Sequence, residues 1–583
     1  MNLFLYTLLI YVFLTILTTT AMHDFSFRHT LFLLVDAILL VAGGKLVKEK
    51  TWYYRVIVYM LALFCSVFLI RYFTPTALKV WDVDIYFSFC LAIGNIFLLL
   101  LSVLPQAGKL KNVVLGIGST LLFLPLIVLW GYYFSESSWL NVDGVMAILQ
   151  TNTSEALEYV QDKLGCLFIL FIVLYLLLTA GLGVVGNKLE LKRSSWKIYA
   201  GAVLFFVLNA VLMFRTSDNF VTSIYAETKN YQKNYDEYIN QAETRNQELS
   251  RSLQAKDTGE PGIFVLVIGE SQNRTRMSAY GYQLNTTPWL ASMKQNKNML
   301  LFQNAYSCHV QTVPALTYAL TAKNQYNTLD LKKAVSLIDV ANASGYQTVW
   351  LSNQVRYGSW GTPVTVIAGA ARQQIWINTH SGNTLDTDYY DGELIKRMQD
   401  INRSDKMLIV IHLMGNHISY HSRYPAEFDI FKSEGKRSEY DNSILYNDHV
   451  MKELLTQLST WTGFKGLVYF SDHSEGVNHG VGHNPDTFIF DMAYIPMYMY
   501  FSDSYLRDNA EKLYNLKKAQ NNIFTNDLIF NAMLGIMNIK NKTLYEPEND
   551  LTSSRYDKNR NRFMTLFGKR YIAEDNGMQT YKH

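Results

Sequence analysis

Ile263-Phe-Val-Leu-Val-Ile-Gly-Glu-Ser271 is a short apolar run that ends on a glycine, a carboxylate and a hydroxyl. Bounded so closely by turn signals, it reads as a buried strand rather than part of a helix. Similar runs at 348–351, 407–413, 466–470 and 495–500 are separated by helix-length stretches. Strands alternating with helices predict an α/β fold with a largely parallel sheet. Ligands in such folds sit just beyond the carboxyl ends of the strands.

The residues leaving each strand carry chemistry. Gly269-Glu270-Ser271 leaves the first run and Ser352-Asn353-Gln354 the second. Gly415-Asn416-His417 leaves the third, with His412 inside its end, and Ser471-Asp472-His473 the fourth. Three of these four exits bring Asp, Glu or His to one edge. Two carboxylates and an imidazole suit zinc, with the fourth position left for an oxygen nucleophile. Neighbours on a regular strand point to opposite faces, so Asp472 and His473 converge only on the turn beyond it. An ordinary hydrogen-bonded Asp–His pair is the competing reading; Glu270 at a neighbouring strand end favours the metal. The nucleophile is expected in Ser307-Cys-His-Val-Gln-Thr-Val-Pro-Ala-Leu-Thr317, which offers Ser307, Cys308, Thr312 and Thr317. A threonine before a helix is equally a common N-cap.

Upstream the composition changes. Residues 1–215 are dominated by Leu, Ile, Val, Phe and Tyr, and apolar stretches at about 3–20, 30–47, 53–72, 84–104, 112–134, 164–186 and 197–214 are long enough to span a bilayer. Asp36 makes the second the weakest of these, and the first lacks the basic start of a cleaved signal. Lys45, Lys48, Lys50 and Arg55, then Lys109 and Lys111, then Lys188, Lys192, Arg193 and Lys197 mark alternate loops. Positive charge marks the cytoplasmic side, so the N-terminus is expected inside and everything after Asp218 outside. Residues 138–162 fall on the outer side, where Val145, Ile148 and Leu149 have the spacing of an interfacial helix. Gln150, Thr151, Asn152 and Glu155 could hydrogen-bond a lipid headgroup there; a solvated loop capped by Ser154 is the plainer alternative. The polar stretch at 216–260, with tyrosines among charges, is expected to bridge the two halves as interfacial helices.

Bulk properties exclude some classes. A net charge of +3 gives no basic field for nucleic acid. Cys65, Cys90 and Cys166 lie in the apolar half and Cys308 alone in the other, so the soluble half must be stable without an internal disulfide.

Several ordered motifs carry a family resemblance. Val265-Leu-Val-Ile-Gly-Glu-Ser, Arg276-Met-Ser-Ala-Tyr-Gly-Tyr, Thr286-Thr-Pro, His412-Leu-Met-Gly-Asn-His417, Arg423-Tyr-Pro, Tyr440-Asp-Asn-Ser-Ile-Leu-Tyr-Asn-Asp and Tyr469-Phe-Ser-Asp-His resemble the lipopolysaccharide phosphoethanolamine transferases. The colistin-resistance enzymes share the first stretch. The resemblance implies a polytopic α-helical membrane domain (1–215) followed, after the bridging helices, by an α/β alkaline-phosphatase/sulfatase-like catalytic domain (261–583) in the periplasm. It implies Glu270, Asp472 and His473 as zinc ligands and Thr312 as the nucleophile that also touches the metal. It implies His417 and His483 as headgroup-binding histidines, with His479 competing for the latter role, and Thr151 and Glu155 as donor-lipid contacts. The reaction implied is transfer of phosphoethanolamine from phosphatidylethanolamine to lipopolysaccharide through a phospho-threonine.

The chain also departs from the family. Ser-Cys-His-Val-Gln-Thr replaces the Ser-Cys-Gly-Thr of the lipid A branch, and Ser352-Asn-Gln replaces its lysine-bearing loop, which places the sequence nearer the heptose-core enzymes. Asp-His-Ser474-Glu stands where Asp-His-Gly-Glu is usual, and two spans exceed the usual five. A sulfatase would need Pro and Arg after its cysteine, and Cys308 lacks both. A phosphoglycerol transferase of the same fold and an inactive membrane scaffold are the remaining alternatives.

Overall fold

The computed structural model describes residues 27–73, 109–151, 165–186, 220–252, 258–354, 362–378 and 389–576, with short runs and single positions elsewhere before residue 212. Two compact units emerge: Met1–Met146 with Val160–Asn230, and Ala147–Tyr159 with Tyr231–His583.

In the first unit the helices Phe27–Leu46, Lys50–Phe73, Lys109–Glu136 and Gly165–Gly186 coincide with four of the expected apolar stretches. Most of the stretches at 84–104 and 197–214, and much of 3–20, lie outside the described residues. Among the described residues no helix is long and apolar enough to cross a membrane. Gly165–Gly186 has 22 residues and hence a length of about 33 Å. Polar side chains tie three of these helices together: Trp130 Nε1 donates to Ser66 Oγ at 3.1 Å, Tyr175 to the Thr120 carbonyl at 2.6 Å and Tyr59 to the Leu178 carbonyl at 2.5 Å. Val142–Gln150 is a short helix, capped by Asn141 Oδ1 accepting from Gly144 N at 2.8 Å.

The second unit is built on a seven-stranded sheet. Its strands are β1 (Gly262–Gly269), β2 (Met299–Phe302), β4 (Gln347–Ser352), β5 (Gln373–Trp376), β6 (Lys406–His412), β7 (Phe464–Ser471) and β8 (Met497–Phe501). The spatial order is β2-β8-β7-β1-β6-β4-β5, while β3 (Asn304–Tyr306) and β9 (Ile523–Thr525) pair separately. All contacts among β1, β4, β5, β6 and β7 are parallel, and β8 alone is reversed, antiparallel to both neighbours.

Both faces of the sheet are covered, which is why β1 is apolar throughout rather than alternating. Phe264, Leu266 and Ile268 enter one core with Trp350, Val410 and Phe470. Ile263, Val265 and Val267 enter the other, with Tyr440, Ile444 and Met451 of the helix Lys436–Ser459. Each such side chain contributes roughly 1.5–3 kcal/mol on burial. The polar stretch after residue 219 forms the helices Phe220–Asn240 and Ala242–Ser252. Its Tyr238 and Leu249 join the first of these cores, and buried Arg245 donates to the Lys332 carbonyl at 2.9 Å.

Candidate metal centre

Three neighbouring strands deliver the site. Gly269 is in register with Ser471, and Ile268 with His412, so β1, β7 and β6 end at one level. Gly269 has no room for a side chain, because a Cβ there would lie 2.2 Å from the Tyr469 hydroxyl. The chain then turns through Ser271 at φ 56°, an uncommon left-handed conformation for a non-glycine residue. That turn aims the Ser271 N–H at Asp472 Oδ1 (3.0 Å) and its hydroxyl at Glu270 Oε1 (2.8 Å). Gly415, at φ 54°, lets the β6 exit approach the Glu270 backbone, where a Cβ would come within 2.8 Å.

Glu270, Asp472 and His473 are buried, and one ligand atom from each lies within 4.8 Å of the others. His473 Nε2 is 3.3 Å from Glu270 Oε1 and 3.5 Å from Asp472 Oδ2. Thr312 Oγ1 is 3.2 Å from Glu270 Oε2 and 3.3 Å from His473 Nε2. Donors 2.0–2.2 Å from a tetrahedral ion lie about 3.3–3.6 Å from one another, so these spacings fit zinc. The chemistry fits as well. Asp472 Oδ2 is buried without a hydrogen-bond partner, while Oδ1 accepts from the Ser271 and His473 amides. His473 Nδ1 donates to the Ser474 carbonyl at 3.1 Å, so Nε2 is the ring nitrogen that faces the carboxylates.

The electrostatics point the same way. Burial, reinforced by the Glu270 charge, pushes the Asp472 carboxyl up to about 8. Burial opposes charge on His473, yet Asp472 and Glu270 together hold it protonated up to about 10. The pocket binds positive charge, as protons or as a metal.

Thr312 is the first residue of the helix Thr312–Ala319, at the end whose free N–H groups and dipole favour an anion. The other hydroxyl and thiol candidates sit elsewhere. Ser307 and Cys308 are fully buried, with burial pushing the thiol well up, and Thr317 bonds back to the Val313 carbonyl at 2.6 Å.

His483 lies beside the triad, its ring 4.4 Å from that of His473 and its Nδ1 2.7 Å from Glu475 Oε1. His479 instead lines a cavity with Asn478 and Asp491. His417 follows Gly415, and its Nδ1 has no hydrogen-bond partner. Burial lowers its pKa to about 4 against the opposing Glu270 charge. Arg423 braces that loop, donating to the His417 and Ile418 carbonyls at 3.3 and 2.8 Å, and pairs with Glu158 of the 147–159 segment. Within that segment Thr151 Oγ1 donates to the Ala147 carbonyl at 2.6 Å. Glu155 lies outside the described residues.

Sequence reasoning passed over His309. It is buried with Nδ1 unpartnered, its ring lies 4.9 Å from that of Phe567 at a tilt of 32°, and its pKa is lowered to about 3 by burial, then by Lys569, His473 and His483. Its position three residues before Thr312 was the available signal. Ser474, standing for a glycine, is buried and is not among the residues at positive φ, so its backbone does not require glycine.

Comparison with known proteins adds to this geometry. The sulfatase family model matches residues 263–539. The phosphoethanolamine transferase EptC of Escherichia coli K12 is 28% identical over 458 residues, covering 71% of this chain and 78% of that protein. The crystal structure of the C-terminal periplasmic domain of E. coli EptC is similar with a TM-score of 0.50 and 26% identity, covering 56% of this chain and 97% of that domain. The integral membrane lipooligosaccharide phosphoethanolamine transferase A of Neisseria meningitidis shares the fold at 19% identity, with a TM-score of 0.54 over 85% of this chain and 96% of that one.

Proposed function

We propose, for a chain that belongs to the phosphoethanolamine transferase family through its sulfatase-type domain and its homologues, transfer of phosphoethanolamine from membrane phosphatidylethanolamine to lipopolysaccharide. The observation that carries this reading is the convergence of Thr312 Oγ1 with Glu270 and His473 at 3.2–3.3 Å beside an unpartnered Asp472 oxygen. Glu270, Asp472, His473 and Thr312 would hold zinc, which when bound would lower the hydroxyl pKa and offset charge on the phosphoryl oxygens. Thr312 Oγ1 bonds to phosphorus as the bond to diacylglycerol breaks, and the acceptor hydroxyl later displaces the phosphoethanolamine from Thr312. The positive end of the helix Thr312–Ala319 stabilises negative charge at that oxygen.

His417, neutral near pH 7, accepts a hydrogen bond or proton from the headgroup or acceptor. His483, oriented by Glu475, serves the same headgroup. Thr151 and Glu155 hold the donor lipid. The departures near Thr312 and Ser352 favour a heptose of the core over lipid A as acceptor.

The first 215 residues form a membrane domain of about seven spans, with the N-terminus cytoplasmic and the catalytic domain periplasmic. Large apolar side chains left exposed on the helices Lys109–Glu136 and Gly165–Gly186 support a lipid surrounding. A reporter fused after His583 should be active outside the cytoplasm and one after Lys192 inside; the reverse pattern would overturn this topology.

The reaction is tested by incubating the intact chain with phosphatidylethanolamine and no acceptor. One phosphoethanolamine should appear on Thr312 by peptide mass. An adduct on Ser307 or Thr317, or none, would defeat the mechanism, and a phosphoglycerol adduct from a phosphatidylglycerol donor would identify the rival transferase. Envelope glycolipid masses, split into lipid A and core fragments, decide the acceptor.

A further inference from the structure

The ion pair between Arg423 and Glu158 joins two parts of the chain that lie 265 residues apart in sequence. Arg423 follows the exit of β6, whereas Glu158 lies between two of the apolar stretches. The segment Ala147–Tyr159 nevertheless packs in the same compact unit as Tyr231–His583. The Arg423 side chain is 6% exposed and that of Glu158 20%, so the pair is largely withdrawn from water. Exposed pairs contribute little, but removing one partner of a buried pair strands the other charge.

Arg423 does more than meet a carboxylate. Its Nε donates to the His417 and Ile418 carbonyls at 3.3 and 3.2 Å, and its Nη2 to the Ile418 carbonyl at 2.8 Å. The guanidinium is a rigid planar fork, so the carboxylate that orients Nη2 also orients the bonds to the turn. Gly415 and Ser419 flank His417 at positive φ, 54° and 66°, so no regular ladder fixes this turn. It is fixed by side chains instead. Asp391 accepts from the Met414 and Gly415 amides at 2.9 and 2.8 Å, and the Asn416 N–H donates to the Glu270 carbonyl at 2.9 Å. Beyond His417, the Tyr420 hydroxyl donates to Glu475 Oε2 at 3.2 Å, and Arg423 closes the turn. Glu475 Oε1 also meets His483 Nδ1, so both histidines depend on one network.

We infer that Glu158 is a positioning residue: through Arg423 it fixes the turn that carries His417, so the segment Ala147–Tyr159 sets the place of that histidine. That His417 serves the ethanolamine headgroup rests on the transfer reading above; the bracing of its turn does not. On that reading, the segment that holds the donor lipid and the histidine that meets its headgroup are tied together by one ion pair.

The test uses the full chain in detergent micelles with phosphatidylethanolamine. Glu158→Gln keeps the shape and removes the charge; Arg423→Lys keeps the charge and removes the fork. Hydrogen exchange over 415–423 reads the turn, and the rate of Thr312 adduct formation reads the transfer. Both variants should exchange roughly tenfold faster there and form the adduct roughly tenfold more slowly, with zinc content and Tm unchanged. His417→Asn should also slow the adduct, and adding Glu158→Gln to it should cause no further loss. Unchanged exchange over 415–423 in Glu158→Gln overturns the inference. So does an unchanged adduct rate where wild type forms the adduct, or a further tenfold loss on the His417→Asn background. A fall in zinc content and Tm alongside the slower adduct overturns it too, since Glu158 would then support the whole unit. Faster exchange over 415–423 in a chain that never forms the adduct supports the brace and removes the transfer reading instead.

Discussion

The helix Gly165–Gly186 and the strand β1 draw on the same apolar residues and put them to opposite use. Every residue of β1 is buried between two layers. On the helix, Ile169 and Leu177 are 64% and 65% exposed. An apolar side chain states only that water is unfavourable; what replaces water is decided by how long the run is and what packs around it. Eight residues suit a strand inside a protein core, whereas 22 residues make a helix of about 33 Å. The two regions also use polar groups differently. The helices are joined by single hydrogen bonds such as Tyr175 to Thr120, while the sheet ends on a cluster of charges able to hold a cation.

That contrast can be broken most sharply at Thr312, the proposed nucleophile. Thr312→Ala should lower transfer by roughly three orders of magnitude or more, with zinc content and the melting of both units unchanged. Normal transfer by that variant would move the chemistry out of the strand-end site. Next in size is the metal. Chelation, or Asp472→Ala, should remove stoichiometric zinc and the Thr312 adduct together, and chelation should lower the catalytic unit's Tm by several degrees without touching the helices. Zinc that survives Asp472→Ala would show that the triad is not its site.

A third test is steric. Gly269→Ala drives a methyl towards the Tyr469 hydroxyl at 2.2 Å and should cost about 1–3 kcal/mol in denaturant unfolding of the catalytic unit. A neutral result would mean that the strand end yields more readily than its packing suggests.

Protons give a fourth. Burial lowers His412 from 6.5 to about 4 in the folded chain, with Glu270 opposing. Between those values the unfolded chain binds the proton and the folded chain does not, so stability is full above 6.5 and declines as pH falls towards 4. His412→Asn should flatten that decline, and an unchanged pH profile would count against a neutral buried His412. The smallest effect is expected in the helices, where Tyr175→Phe should cost only about 0.6 kcal/mol of bundle stability; a loss several times larger would mean that hydrogen bonds, rather than packing, hold them.

Much of the catalytic half is legible along the chain because its information is local. The period of an apolar run, the turn residues after it and the Asp, Glu or His that follow are all read within a few positions, so β1, β4, β6, β7 and β8 fall where the runs predict them. The two short strands Met299–Phe302 and Gln373–Trp376 are less distinct, since 4 residues show little periodicity. The motifs that mark the family are legible as words but not as contacts. Arg276 pairs with Asp441 at 2.6 Å across 165 residues, Tyr440 donates to the Ser271 carbonyl at 2.6 Å across 169, and Asp448 accepts from the Leu290 amide at 3.0 Å across 158. The Tyr440 contact braces the turn that carries Glu270.

The sequence by itself determined the alternation of strands and helices and the chemistry at their ends, because hydrophobic period and residue type are properties of neighbours in the chain. Only the tertiary structure decided that His483 rather than His479 stands beside His473, that His309 shares their surroundings, and that Arg423 reaches Glu158. Those relations depend on how loops fold back on strand ends. No local pattern encodes the direction in which a side chain on a loop finally points.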